Sequence, residues 1–175
     1  MNRHRIVTVL VPALVGVSLA AAPARAEILL KIPGIEGTST LEGHANEIVL
    51  SSMQFGGGQV VPRNGPKPCA GPSSKMELSE FVVSKQSDKS SPKLVSALAA
   101  GTVFPQVTLT IGSLGAAGFQ ESDRYVLSDA FLSSYSASSG GSEPSESLSI
   151  RFRSVQFVHT DPSDGEESVT WTACG

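Results

Sequence analysis

The stretch from Glu77 to Ile111 constrains this chain most, because it reads as strand, turn, one short helix and strand in immediate succession. Met76, Leu78 and Val82 alternate with polar or smaller neighbours, and Gln86-Ser87-Asp88-Lys89-Ser90-Ser91 follows as a turn-rich break. A helix starts there. Ser90 or Ser91 can accept from the free amides of its first turn, Pro92 suits the first helical position, and Gly101 can take the left-handed stop. Leu94, Val95 and Leu98 give the helix an apolar side. From Phe104 to Ile111 the pattern then alternates as in a half-buried strand, Val107, Leu109 and Ile111 inward and the two threonines outward.

The same reading extends along the chain. Glu27 to Ile32 and Glu47 to Phe55 are strands, the second with apolar residues on both faces. Between Gly56 and Ser74 lie Gly56-Gly57-Gly58, Pro62, Asn64-Gly65, Pro66, Pro68 and Gly71-Pro72, which exclude a central strand or helix and predict a long extended loop. Gly112 to Ser122 reads as a Gly-rich connection, Arg124 to Ser136 as a strand, and Ser136 to Glu146 as a Ser/Gly-rich link. Ser147 to His159 reads as the longest strand. Its inward phase shifts from Leu148, Ile150 and Phe152 to Val155 and Phe157, which one extra residue near Arg153-Ser154, a β-bulge, would reconcile. A turn over Asp161 to Glu167 and a short strand over Val169 to Ala173 finish the chain. Many strands with Gly/Pro-rich turns and one helix predict a mainly-β antiparallel barrel or sandwich.

The N-terminus reads as a secretory signal peptide. Arg3, His4 and Arg5 precede the nearly all-apolar run Ile6 to Ala20, and Ala24-Arg25-Ala26 offers a small-x-small cleavage pattern. Cleavage between Ala26 and Glu27 divides the chain into a removable segment, 1–26, and a single domain, 27–175, that is expected to be periplasmic or secreted. It also takes 13 Lys+Arg to 10 against 16 Asp+Glu, a net charge of −6, which argues against nucleic acid as partner. No other apolar stretch is long enough to span a membrane. In an oxidising compartment the two cysteines, Cys69 and Cys174, read as a disulfide, and their spacing excludes a C-x-x-C redox or zinc motif. Closing so long a loop is worth about 4–5 kcal/mol on the entropy model. The bond can lie within one chain or link two.

No catalytic constellation emerges. The chain has no G-x-S-x-G elbow, no H-E-x-x-H and no P-loop, and Gly56-Gly57-Gly58 lacks the Lys-Ser/Thr of a phosphate cradle. His44 reads as a hydrogen-bonded turn residue and His159 as a surface residue at a strand end, although Asp123 or Asp161 and a serine could complete a triad. Asp161, Asp164, Glu166 and Glu167 around Gly165 do not fit the EF-hand spacing and read as a solvated acidic hairpin. Neither cofactor nor metal is expected.

Several of these segments together resemble one family. Asp88-Lys89-Ser90-Ser91-Pro92-Lys93-Leu94, Ala100-Gly101 and Phe104-Pro105-Gln106-Val107-Thr108-Leu109-Thr110-Ile111 look like the central block of the hemolysin-coregulated protein (Hcp) family, the tube protein of type VI secretion. Leu29 to Ser39 is similar to the family's opening strand and turn, and Gly43-His44-Ala45-Asn46-Glu47-Ile48 to the start of its second strand. Ser133 to Gly141 resembles its Ser/Gly-rich loop, and Ser147 to Phe152 its long late strand. The resemblance implies an antiparallel β-barrel of two packed sheets with one short side helix. It also implies hexameric rings that stack into a tube and carry small effectors, with the Gly56–Ser74 loop as the arm between rings. Partners would be further copies of the chain and other type VI secretion components. A monomeric exported binding module on the same barrel is the alternative, and a small secreted hydrolase the remote one.

Overall fold

The computed structural model describes residues 25–59, 76–141 and 143–172. The expected signal segment up to Ala24, the span holding Asn64, Gly65 and Cys69, and Cys174 lie outside these residues.

The alternation in the sequence becomes one continuous wall of strands. β1 (Arg25–Lys31), β2 (Ile48–Leu50) and β3 (Ser52–Gln54) open the chain, followed by β4 (Gly57–Gln59), β5 (Met76–Leu78) and β6 (Phe81–Gln86). After α1 (Ser91–Ala100) come β7 (Val103–Gly115), β8 (Gly118–Ser138), β9 (Ser145–Arg151), β10 (Ser154–Asp161) and β11 (Gly165–Thr172). A nine-stranded antiparallel sheet runs β2-β1-β7-β8-β9-β6-β3, with β10 added to β8 and β11 to β10. β2 and β3 stand at opposite ends of that order, yet only Ser51 separates them, and its N–H donates to the Ser84 carbonyl at 2.8 Å. The segment 48–54 therefore closes the sheet on itself. The result is a mainly-β antiparallel barrel whose two packed walls belong to one sheet, with one short helix at its side.

Cross-strand rows fill the barrel. Leu30 faces Leu109 and Ile48, and Leu109 faces Tyr125 on its other side. Phe81, Val83, Leu127, Leu148 and Ile150 are almost wholly removed from water. Burying such a side chain stabilises the fold by about 1.5–3 kcal/mol.

Several expectations change in detail. Ser79 and Glu80 interrupt the strand expected through Met76, Leu78 and Val82, so Phe81 and Val83 point inward and Val82 outward. Leu94 is the fully buried helix residue while Val95 is exposed, and Gly101 adopts the expected left-handed stop at φ 61°. Thr110 is buried rather than outward. The expected connection Gly112–Ser122 is mostly strand, because β7 and β8 form a long hairpin turning at Ala116-Ala117. β8, not the Ser147–His159 segment, is the longest strand.

The phase change near Arg153 has a different cause from an inserted residue. Arg151 faces Phe131 and Ser154 faces Ser128, so both strands pass the corner with equal numbers of residues. β8 bends there at Asp129, φ 48°, and the two strands exchange faces together. The true register shifts lie elsewhere on β8, between the pairs of Ile111 and Gly112 and between Leu132 and Ser134.

Gly37 fixes the loop before β2. A Cβ there would stand 2.3 Å from the Ile48 Cα and 2.4 Å from the Glu47 carbonyl oxygen, both backbone atoms that have no rotamer to yield. Gly37→Ala should destabilise the fold by about 1–3 kcal/mol, read as a lowered urea midpoint with unchanged slope.

Candidate assembly surfaces

The glycine run expected to open an irregular loop instead opens a ribbon. β4 and β5 form a separate two-stranded sheet, Gly57 opposite Leu78 and Gly58 opposite Glu77. Glycine weakens a strand through its backbone freedom, so the ribbon depends on a well-built root. Gly56 N–H donates to Ser79 Oγ at 2.9 Å, and Ser79 N–H returns a bond to the Gly56 carbonyl at 2.8 Å. Beneath them the Phe55 ring stacks on Phe81 at 4.1 Å and meets Tyr125 and Phe152 edge-on. Outside, Glu80 pairs with Arg151 and accepts from Ser133 Oγ at 2.8 Å; those two bonds, Arg151 first, hold its carboxyl below the usual range. Gly56, Gly57 and Gly58 thus form the root and the first strand of this ribbon.

A buried polar cluster that the sequence reading missed braces the other end of β6. Lys85 continues the inward parity of Phe81 and Val83, and its side chain is fully buried directly opposite Glu146 of β9. Its Nζ donates to Glu146 Oε2 at 2.8 Å and Ser91 Oγ at 3.0 Å, and pairs with Asp88 Oδ1 at 2.9 Å. Ser91 Oγ donates on to Glu146 at 2.9 Å and accepts from Asp88 N–H at 3.1 Å. Burial alone would raise the Glu146 and Asp88 carboxyls. Hydrogen bonds from Lys85 and Ser91 at Glu146, and from Ser90 and Lys85 at Asp88, outweigh it and hold both below their ordinary values. The helix start is consequently fixed without a side-chain bond from Ser90 to the first turn; Asp88 instead accepts from Ser90 N–H at 2.8 Å. The signal was available in the strand parity, which puts residues 81, 83 and 85 on one face.

The outer face of β8, β9, β6 and β3 is rich in hydroxyls, with the Arg151–Glu80 pair at one end. Ser134 faces Ser149, which faces Val82, which faces Gln54; Ser136, Ser147, Ser84 and Ser52 form the next row. Hydroxyls bond across it, Ser134 to Ser149 at 2.9 Å and Ser138 to Ser145 at 3.1 Å.

The β10–β11 hairpin differs in kind. β11 pairs with β10 alone, leaving an open edge among the described residues, and Val169 on it is 42% exposed. Asp161 Oδ1 accepts from the Ser163 hydroxyl at 2.6 Å and from the Ser163 N–H at 2.7 Å, bonds that hold its carboxyl low. His159 bonds Asp123 Oδ1 at 2.8 Å, which raises the imidazole's pKa. Ser122 Oγ donates to the same carboxylate rather than to the imidazole, so no serine is activated there. His44 bonds Glu47 at 3.1 Å within its turn, and among the described residues no group of His, Cys, Asp and Glu is arranged to hold a metal.

Comparison with known proteins agrees with this architecture. The fold is similar to Hcp1 from Salmonella typhimurium, with 24% identity and a TM-score of 0.70 over 84% of this chain and 94% of that one. A type VI secretion system effector from Yersinia pestis gives 21% identity and 0.69 over 83% and 99%. The secreted protein Hcp3 from Pseudomonas aeruginosa gives 19% and 0.61 over 87% and 100%. No curated protein sequence matches. The family model described as type VI secretion system effector, Hcp, matches residues 29–159, and the chain belongs to that family, the structural tube proteins of type VI secretion.

Proposed function

We propose that this chain is an exported tube subunit that closes into hexameric rings, stacks them through the arm rooted at Gly56, and works by assembly without turnover or cofactor. The family match over a complete barrel carries this reading. An open β11 edge and a projecting ribbon support it, since exposed edges are liabilities unless another chain covers them. Partners are further copies of the chain, other type VI components, and small effectors held weakly against the hydroxyl-rich wall. A net charge of −6 after cleavage disfavours nucleic acid.

The signal pattern ending at Ala26 supports a mature protein that begins at Glu27 and works in the periplasm or outside. There Cys69 and Cys174 pair within one chain. Thr172, two residues before Cys174, faces Ser154, close in sequence to the Phe152 that meets Phe55 at the arm root. Effective concentration within a chain favours this closure over a link between copies. Asn64 and Gly65, in the same arm, belong to the surface it presents to the adjacent ring.

One measurement tests the set. Native mass spectrometry of exported protein should give a hexamer, and its released subunit the mass of 27–175 less two hydrogens. A monomer at every concentration would favour the binding-module reading, an intact Met1 would remove the export step, and a subunit released only by reduction would move the disulfide between chains.

A further inference from the structure

A ring of identical subunits needs two different patches, because a head-to-tail contact repeats around an axis whereas a self-complementary patch stops at a dimer. Two surfaces of this chain carry exposed valines and opposite charge. The first is the β10–β11 hairpin: an open edge, Val169 at 42% exposure, and the exposed carboxylates Asp164, Glu166 and Glu167, of which Glu166 reaches Arg124 at 3.5 Å. The second is the outward side of α1 and the start of β7. From Lys89 to Val103 the sequence holds no acidic residue, and Val95 and Val103 are 42% and 56% exposed. Lys89 shares Glu36 at 3.8 Å, and Lys93 donates to the neutral Gly34 carbonyl at 3.2 Å. The exposed residues of α1, Pro92, Lys93, Val95, Ser96, Ala99 and Ala100, include no carboxylate, so this face is partly apolar with a basic end.

We infer that the β10–β11 hairpin of one copy docks on the α1–β7 face of the next, Val169 against Val95 and Val103, with Glu167, which shares Val169's face of β11, directed at Lys89 and Lys93. The apolar centre supplies desolvated contact area and the charged rim sets orientation and excludes the self-pairing of either patch. This rests on the ring reading and names the surfaces that carry it.

Charge exchange tests it on the full exported protein. Glu167→Lys, and separately Lys89→Glu with Lys93→Glu, should each raise the concentration at half-assembly at least about tenfold in analytical ultracentrifugation, and the variant carrying all three exchanges should recover most of the loss. The three exchanged side chains are on the surface, and circular dichroism confirms folding of each variant. As a second readout that needs no variant, carbodiimide treatment of a mixture of labelled and unlabelled wild-type chains should join Lys89 or Lys93 of one isotope to Glu167 of the other. Rings that form without those cross-links, or that tolerate both exchanges, overturn this interface while leaving ring assembly intact. A wild-type chain that stays monomeric overturns both.

Discussion

Replacing Lys85 with methionine should cost the folded chain about 3–5 kcal/mol, one of the two largest losses expected from any single change. The side chain is fully buried and neutralises two carboxylates, Glu146 at 2.8 Å and Asp88 at 2.9 Å, so its removal strands negative charge inside the barrel. A chemical denaturation midpoint measures the loss. The companion Lys85→Met/Glu146→Leu should recover part of it, because Glu146 is no longer stranded while Asp88 keeps only its bonds from Ser90. The same cluster predicts acid sensitivity. Both carboxyls titrate below their ordinary values in the folded chain, so the stability they confer is complete above the unfolded carboxylate range and is lost as pH falls through the folded values. Stability measured against pH should therefore decline on the acid side, and the decline should flatten in the Lys85→Met/Glu146→Leu variant.

Phe81→Ala should be comparably costly, about 3–5 kcal/mol, since it empties a fully buried site. Its effect should also be local. Phe81 is the ring on which Phe55 stacks at 4.1 Å, two residues before the ribbon begins, so hydrogen exchange at Gly57, Gly58 and Leu78 should rise more than at β7. Equal acceleration throughout would mean that the ribbon does not depend on this stack.

The central strand-helix-strand block was legible because each piece carried its own punctuation: Pro92 at the helix start, Gly101 at its end, and a clean alternation at Val107 and Leu109. Less legible were features that depend on a neighbour. Gly37 reads as a turn residue, but its role is a close approach to the Ile48 backbone, which only the folded loop reveals. Lys85 reads as a polar residue near a turn, and its burial follows from a partner sixty-one residues away. The corner at Arg153 was visible as a change of phase, yet its cause lies in the facing strand at Asp129, outside any local window. Gly56, Gly57 and Gly58 read as the start of a loop, and the ribbon pairing of Gly57 and Gly58 was not legible, because three glycines carry no side-chain pattern to read.

The closure through Ser51 has a consequence for how the barrel is acquired. Residues 48–54 belong at once to β1, near the beginning of the chain, and to β6, which is held in turn by β9. The facing edges of β6 and β8 are joined only when β9 lies between them, so the topology is dominated by distant pairings and assembly of the fold is slow relative to local structure. A chain emerging from its N-terminus thus carries an unpaired edge at β6 until residues 145–151 are available. That interval is when the open edge can pair with another copy of the chain, and closure of the barrel ends it.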